Sequence, residues 1–158
     1  MTANSPDFPD DLQPDADGLV VYNPAEFPLP LSDEQAHTLA AIIEEHETAS
    51  FHSVEVIFVD EKEIVRLNKS YLNRDYVTDI ISFRYDDDPK NNAIEGSLYC
   101  CAPRIAEQAS EQSVPVQAEF ARIVIHGLLH LIGYDDEQPD QKNTMTELED
   151  RYLKAAGL

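Results

Sequence analysis

Apolar residues recur along the chain with two periods, one typical of strands and the other of helices. Alternating or short apolar runs predict four strands, at residues 18–22, 52–59, 78–85 and 95–101. Helical spacing and capping residues predict five helices, which begin after Ser32, after Asp60, at Ala102, near Val114 and at Pro139. Because these short elements are interspersed and show no internal repeat, the sequence predicts a single α+β domain with a four-stranded mixed sheet and about five helices.

The most apolar of the predicted helices lies in the stretch 121–136, which reads ARIVIHGLLHLIGYDD. Apolar residues on every side of it predict a buried central helix that packs against the sheet. Two histidines, His126 and His130, interrupt this run four residues apart, so both rings lie on the same side of the helix. Burying two imidazoles costs free energy unless a partner satisfies them, and one divalent metal ion would satisfy both.

Gly133 and the carboxylates that follow it favour a metal site over a pair of hydrogen-bonded core histidines, which the i, i+4 spacing alone also allows. Gly127 costs a helix interior about 1 kcal/mol relative to Ala, which indicates that something approaches the backbone closely there. Gly133 predicts the end of the helix. The chain then turns back through Tyr134, Asp135 and Asp136, and a carboxylate would complete the two-histidine, one-carboxylate set common in catalytic zinc sites.

Composition limits the class of protein. At 158 residues the chain suits one domain. Residues 1–17, rich in Asp and Pro, are predicted to be a disordered acidic tail, which leaves 18–158 as the folded domain. The sequence contains neither a run of 18 apolar residues nor the pattern of a secretory signal, and it predicts a cytoplasmic protein without a membrane partner. Adjacent Cys100 and Cys101 would point to opposite faces of a strand, so neither a disulfide framework nor a cysteine metal cluster is expected.

The charge is strongly one-sided, with 31 acidic against 11 basic residues and a formal net charge of −20. Taken alone, this argues against nucleic-acid binding, whose usual footprint is a basic patch. An acidic surface adapted to a salty cytoplasm is one explanation, because salt screens repulsion between distant charges. Six of the 11 basic residues fall between positions 62 and 90, and they form either a solvated face paired with acidic neighbours or a surface that contacts phosphates: Lys62, Arg66, Lys69, Arg74, Arg84 and Lys90.

The segment HGLLHLIGYDD, residues 126–136, resembles the signature HGxLHLxGYDH of the YbeY family of single-strand endoribonucleases, which act in ribosomal RNA maturation. The resemblance covers roughly residues 52–153, and its fold agrees with the predicted layout. Further matches agree in order and spacing: Leu67, Asn68, Tyr71, the segment TDIISF at 78–83, Gly96, Met145 and Glu149.

This resemblance implies a metal-dependent endoribonuclease that binds single-stranded RNA and ribosomal RNA, in association with the ribosome. It implies one Zn²⁺, or another divalent ion, per chain. His126 and His130 fall on the first two of the family's three histidine ligand positions. The third falls on Asp136, a carboxylate that is itself a competent zinc ligand. Asp135 and Glu137 are alternative third ligands, and no oligomeric state is predicted.

The chain departs from the family pattern at other positions too. The family places an arginine that stabilises phosphoryl oxygens directly after the matched tyrosine, whereas this chain has Leu72 there. We expect Arg74, two residues later, to take that role. Val77 stands where the family has proline, and Ser97 where it has aspartate.

Two other functions stay open. This chain lacks the family's arginine at Leu72 and the family's third histidine at Asp136. These two losses give some weight to a non-catalytic adaptor that is stabilised by a bound metal and associates with the ribosome. A metal hydrolase of another substrate, such as a peptide, is the second alternative. It is weakened because Gly127 stands where the zinc-protease motif HExxH has its glutamate.

Overall fold

The structure is a computed structural model, and it describes residues 18–158; the predicted acidic tail, residues 1–17, lies outside the described residues. Within that range the chain forms the four strands and five helices that the sequence predicts. In chain order they are β1 (Gly18–Tyr22), α1 (Asp33–His46), β2 (Ser50–Val59), α2 (Glu61–Leu72), β3 (Ile80–Arg84), β4 (Ala93–Cys101), α3 (Ala102–Gln112), α4 (Val116–Ile132) and α5 (Pro139–Ala155).

The four strands form one mixed sheet in the order β1-β2-β4-β3, which confirms the predicted α+β fold. β2 pairs in parallel with β1 and with β4, while β3 pairs with β4 in the antiparallel direction. β3 begins at Ile80, two residues later than predicted, because its ladder with β4 starts at the pair Ile80 and Cys100. The two residues before it, Thr78 and Asp79, line a cleft instead.

Side chains alternate across the sheet, so each face has its own apolar core. The larger core lies under α1, α3, α4 and α5 and takes Val54, Val56 and Phe58 from β2. The smaller core lies under α2 on the opposite face. Cys100 belongs to the larger core and Cys101 to the smaller one, and both are buried, free thiols. The prediction that they point to opposite faces is therefore confirmed.

Local hydrogen bonds explain where the first two helices begin. The side chain of Ser32 accepts a bond from the backbone N–H of Gln35 at 3.1 Å, and the Gln35 side chain accepts one from the N–H of Ser32 at 2.8 Å. This is the predicted capping box. Asp60 caps α2 by accepting from the N–H of Glu63 at 2.8 Å. Among the helices of residues 18–158, none is long and apolar enough to span a bilayer.

α4 lies directly on the sheet, and a glycine makes this close approach possible. A Cβ atom placed on Gly127 would lie 2.6 Å from Cδ1 of Ile80 and 2.9 Å from both methyl carbons of Leu98. Any larger side chain at this position would push the helix off the sheet or displace its neighbours. The close backbone approach predicted from Gly127 is therefore confirmed, and it fixes the depth at which α4 holds its two histidines.

Candidate metal centre

α4 presents its two histidines on the one side that is not packed against the core. Most of the helix is buried, whereas the side chains of His126 and His130 are 23% and 24% exposed. Their ring centroids lie 4.6 Å apart, and their Nε2 atoms lie 3.0 Å apart. The i, i+4 spacing thus brings the two imidazoles together on one side of the helix, as predicted, and there they line a cleft.

The turn after α4 brings a carboxylate back to the two rings. Gly133 ends the helix with a φ of +124°, a conformation that favours glycine, and the N–H groups of Gly133 and Tyr134 donate to the carbonyl of Leu129. The chain then reverses, and Oδ2 of Asp136 lies 3.4 Å from Nε2 of His126 and 3.6 Å from Nε2 of His130.

The other two candidates for a third ligand lie farther from the histidines. Within residues 18–158, the one group of three or more possible ligands whose atoms all fall within 4.8 Å of one another consists of His126, His130 and Asp136. Asp135 lines the same cleft but does not join this group, and Glu137 is exposed.

The spacing of these three donor atoms fits a tetrahedral metal ion. Zinc bonds to nitrogen and oxygen are about 2.0–2.2 Å long, so neighbouring donors around a tetrahedral ion lie roughly 3.3 Å apart. The three separations observed are 3.0, 3.4 and 3.6 Å. Three electron-rich atoms converge here on a single point, where a cation would neutralise their mutual repulsion. The residues present therefore fit a divalent metal.

A second carboxylate orients His126 from behind. The Nδ1 atom of His126 lies 2.7 Å from Oε2 of Glu149 on α5, whose side chain is only 9% exposed. The other oxygen of Glu149 accepts from Nη1 of Arg122 at 3.0 Å. Burial lowers the pKa of His126, but the hydrogen bond and the charge of Glu149 outweigh that effect and raise it. In the neutral ring, a proton on Nδ1 donated to Glu149 leaves the lone pair on Nε2, the atom that faces the cluster.

The cluster lies in a cleft of about 580 Å³ formed by the start of β3, the β3–β4 loop and the end of α4. Arg74 lines this cleft, and its guanidinium makes no hydrogen bond or ion pair with any other described residue. Arg84 also lines it but is already engaged. Its guanidinium donates to the carbonyl oxygens of Leu131 at 2.9 Å and Asn91 at 2.7 Å.

A family model described as Endoribonuclease YbeY matches residues 26–157. This chain belongs to the endoribonuclease YbeY family. It is 38% identical over 149 residues to an Endoribonuclease YbeY of Salinibacter ruber, an alignment that covers 84% of this chain and 95% of the relative. It is 41% identical over 102 residues to one of Aromatoleum aromaticum, which covers 65% of this chain and 64% of the relative.

A solved structure supports the same fold. The solution structure of TM1509 from Thermotoga maritima superposes with a TM-score of 0.65 at 26% sequence identity, and the match covers 88% of this chain and 89% of the other. The resemblance to the YbeY family inferred from the histidine segment is therefore confirmed over most of the chain.

Two of the four departures from the YbeY pattern, Leu72 and Asp136, line the cleft of this family member. Leu72, at the position of the family's arginine, lines the cleft with an aliphatic side chain, and Arg74 lines it two residues later. Of the six basic residues between positions 62 and 90, only Arg74 and Arg84 reach the cleft. Arg66 instead pairs with Glu63 at 2.5 Å, and Lys69 lies 4.0 Å from Asp75. The six residues do not form one continuous surface around the YbeY-type cluster.

No role for Glu149 follows from the sequence alone, although this residue matches the YbeY pattern. A local pattern could have found it. On α5, Met145, Leu148, Tyr152 and Leu153 are buried at helical spacing, and Glu149 is a buried carboxylate on the same face. Because an ionised carboxylate is rarely buried without a partner, its position predicts a cationic or hydrogen-bonding partner on a neighbouring element.

Proposed function

We infer that this chain is a metal-dependent endoribonuclease that cleaves single-stranded RNA and acts in ribosomal RNA maturation. Its family membership supports an enzyme that acts on RNA phosphodiester bonds. The observation that carries the proposal is the joint presence, in one cleft, of a two-histidine, one-carboxylate cluster and the guanidinium of Arg74, which has no hydrogen bond or ion pair among residues 18–158. The first supplies a metal site, and the second supplies a partner for phosphate oxygens.

His126, His130 and Asp136 would hold one divalent ion, and we propose Zn²⁺ because two imidazoles and a carboxylate suit it in a tetrahedral site. When bound, such an ion acts as a Lewis acid toward a phosphoryl group and lowers the pKa of water to about 7. With a carboxylate as third ligand in place of a neutral imidazole, the bound ion would carry less net positive charge.

The remaining roles belong to protein side chains. Glu149 would hold the Nδ1 proton of His126 and so keep Nε2 free to bind the ion. Arg74 would donate to the non-bridging phosphate oxygens of the RNA and stabilise negative charge as it develops there. Arg84 would hold the β3–β4 loop against the end of α4, because it donates to carbonyls of both segments.

The domain formed by residues 18–158 would carry the whole activity. We propose that its substrate is ribosomal RNA in a cytoplasmic, ribosome-associated context. Polar and charged side chains line most of the cleft, which suits a polar ligand rather than an apolar compound.

The test is metal analysis and RNA cleavage with the same purified protein. We expect one divalent ion per chain and metal-dependent cleavage of single-stranded RNA, both lost in His126→Ala. Asp136→Ala should lose metal affinity, whereas Asp136→His should keep it, because imidazole is also a zinc ligand. Metal binding without cleavage of any RNA would favour the adaptor, and cleavage of peptides alone would favour another hydrolase. Protein that keeps no metal through dialysis would refute the metal site.

A further inference from the structure

One carboxylate at the end of α1 receives hydrogen bonds from two tyrosines that are distant in sequence. Oε1 of Glu47 accepts from the hydroxyl of Tyr134 at 2.7 Å, and Oε2 accepts from the hydroxyl of Tyr152 at 2.6 Å. Hydrogen bonds from a hydroxyl to a carboxylate are short and about twice as strong as neutral ones. Glu47 is itself fixed at the helix end, where its N–H donates to the carbonyl of Ile43 at 2.8 Å.

The two tyrosines belong to the segments that build the metal centre. Tyr134 follows Gly133 and stands two residues before Asp136 in the turn after α4. Tyr152 lies on α5, three residues after Glu149, and is fully buried in the larger core. Glu47 thus connects the turn that carries the third donor to the helix that carries the outer partner of His126.

The turn has few other constraints on its position. Within the described chain, the backbone of residues 135–137 makes no hydrogen bond. The turn is therefore held at its two ends, by Gly133 and Tyr134 on one side and by the start of α5 on the other.

We propose that Glu47 is a positioning residue for the metal centre: through Tyr134 it fixes the turn so that Asp136 faces His126 and His130. This inference rests on the proposed metal ligands. The hydrogen bond from buried Tyr152 holds the Glu47 carboxylate in place, and the same carboxylate holds the turn through its hydrogen bond from Tyr134. When the three donors are already in position before the metal binds, the ion does not have to order them. Metal binding then costs less conformational entropy.

The test is a double-mutant cycle on metal affinity, measured by competition with a chromogenic chelator and without any activity assay. Tyr134→Phe removes one hydroxyl and should weaken Zn²⁺ binding about tenfold, at the low end for outer partners of metal ligands. In an Asp136→Ala background the same change should have no further effect, because the turn then carries no member of the proposed ligand set. A merely structural role would weaken binding equally in both backgrounds, and that result would overturn the proposal.

A second pair of variants tests Glu47 itself. Glu47→Ala should weaken Zn²⁺ binding at least as much as Tyr134→Phe. Glu45→Ala makes the same charge change two residues away, at an exposed side chain without a hydrogen bond or ion pair among the described residues, and should leave affinity within about twofold. Thermal melts of the metal-free variants show that each is folded.

The possible failures are distinguishable. If Asp136→Ala weakens binding while Tyr134→Phe and Glu47→Ala do not, the positioning role is wrong and the proposed ligands stand. If Asp136→Ala binds Zn²⁺ like the unaltered chain, the ligand set is wrong and the inference falls with it.

Discussion

Replacing Glu149 with glutamine tests whether the buried carboxylate behind His126 controls the metal centre. In the structure its two oxygens accept from two different donors, Nδ1 of His126 at 2.7 Å and Nη1 of Arg122 at 3.0 Å. Glutamine has nearly the same shape, but it offers one acceptor oxygen, and its NH₂ group faces the other donor. Glu149→Gln therefore removes the negative charge and also leaves one partly buried donor without an acceptor.

The expected size of the effect follows from these contacts. Loss of an outer partner of a metal-bound histidine costs about 10- to 100-fold in metal affinity, which corresponds to about 1.4–2.8 kcal/mol. The unsatisfied donor should also destabilise the metal-free protein by about 1–3 kcal/mol. Chelator competition measures the first quantity and denaturant unfolding of the metal-free protein measures the second.

Asp150→Asn is the matched control. Asp150 is the next residue, carries the same charge and accepts from Nη2 of the same Arg122 at 2.6 Å, but it is 61% exposed. No contact between Asp150 and His126 occurs within the described structure. We expect Asp150→Asn to keep metal affinity within about twofold. Equal losses of metal affinity in the two variants would mean that the pairing of these carboxylates with Arg122 matters, rather than the orientation of His126. Unchanged metal affinity in Glu149→Gln would refute the reasoning.

The packing of α4, the guanidinium of Arg74 in the cleft and the negative net charge of the chain give three further predictions. Gly127→Ala should destabilise the protein by about 1 kcal/mol in denaturant unfolding. Overpacking against Ile80 and Leu98 costs about 1–3 kcal/mol, and the higher helix propensity of Ala offsets about 1 kcal/mol of this. Stability at or above that of the unaltered chain would contradict the close approach. Arg74→Ala should lower kcat/KM for RNA by about 10²–10³ while metal content stays unchanged, and equal cleavage rates would exclude the proposed phosphate contact. Thermal stability and RNA cleavage should both rise with potassium chloride above ordinary cytoplasmic levels, and a steady fall of both would show that the acidic surface is not a salt adaptation.

Local chemistry made much of the fold predictable. The capping residues Ser32 and Asp60 place the starts of two helices because their side chains satisfy backbone donors a few residues away. The histidine helix was predictable for the same reason. Its apolar run, its internal Gly127 and its terminal Gly133 all act within one or two turns.

Contacts between distant segments were not predictable, because they leave no periodic trace in the sequence. Glu47 lies 87 residues from Tyr134 and 105 from Tyr152. Arg84 gives a second example. The sequence placed it in a basic group that either pairs with acidic neighbours or contacts phosphates, but the fold brings it to the end of α4, where its guanidinium donates to the carbonyl of Leu131. A cation is favourable at the C-terminus of a helix, and no local pattern shows which helix end a residue will reach.

The charge of the cleft determines how such a protein can bind RNA at all. Its lining carries more carboxylates than guanidiniums: Asp79, Asp86, Asp87, Asp135 and Asp136 against Arg74 and Arg84. Arg84 is occupied by backbone carbonyls, so Arg74 and a divalent ion in the cluster are the positive charges available to a phosphate. A nuclease with a basic cleft keeps its RNA affinity when the metal is removed, because its side chains neutralise the phosphates. Here removal of the metal by a chelator should abolish binding as well as cleavage. Fluorescence anisotropy with a 2′-O-methyl RNA, which separates binding from cleavage, measures this directly. Equal affinity of the metal-free and metal-loaded protein would mean that RNA binds outside the cleft, at residues other than Arg74 and the cluster.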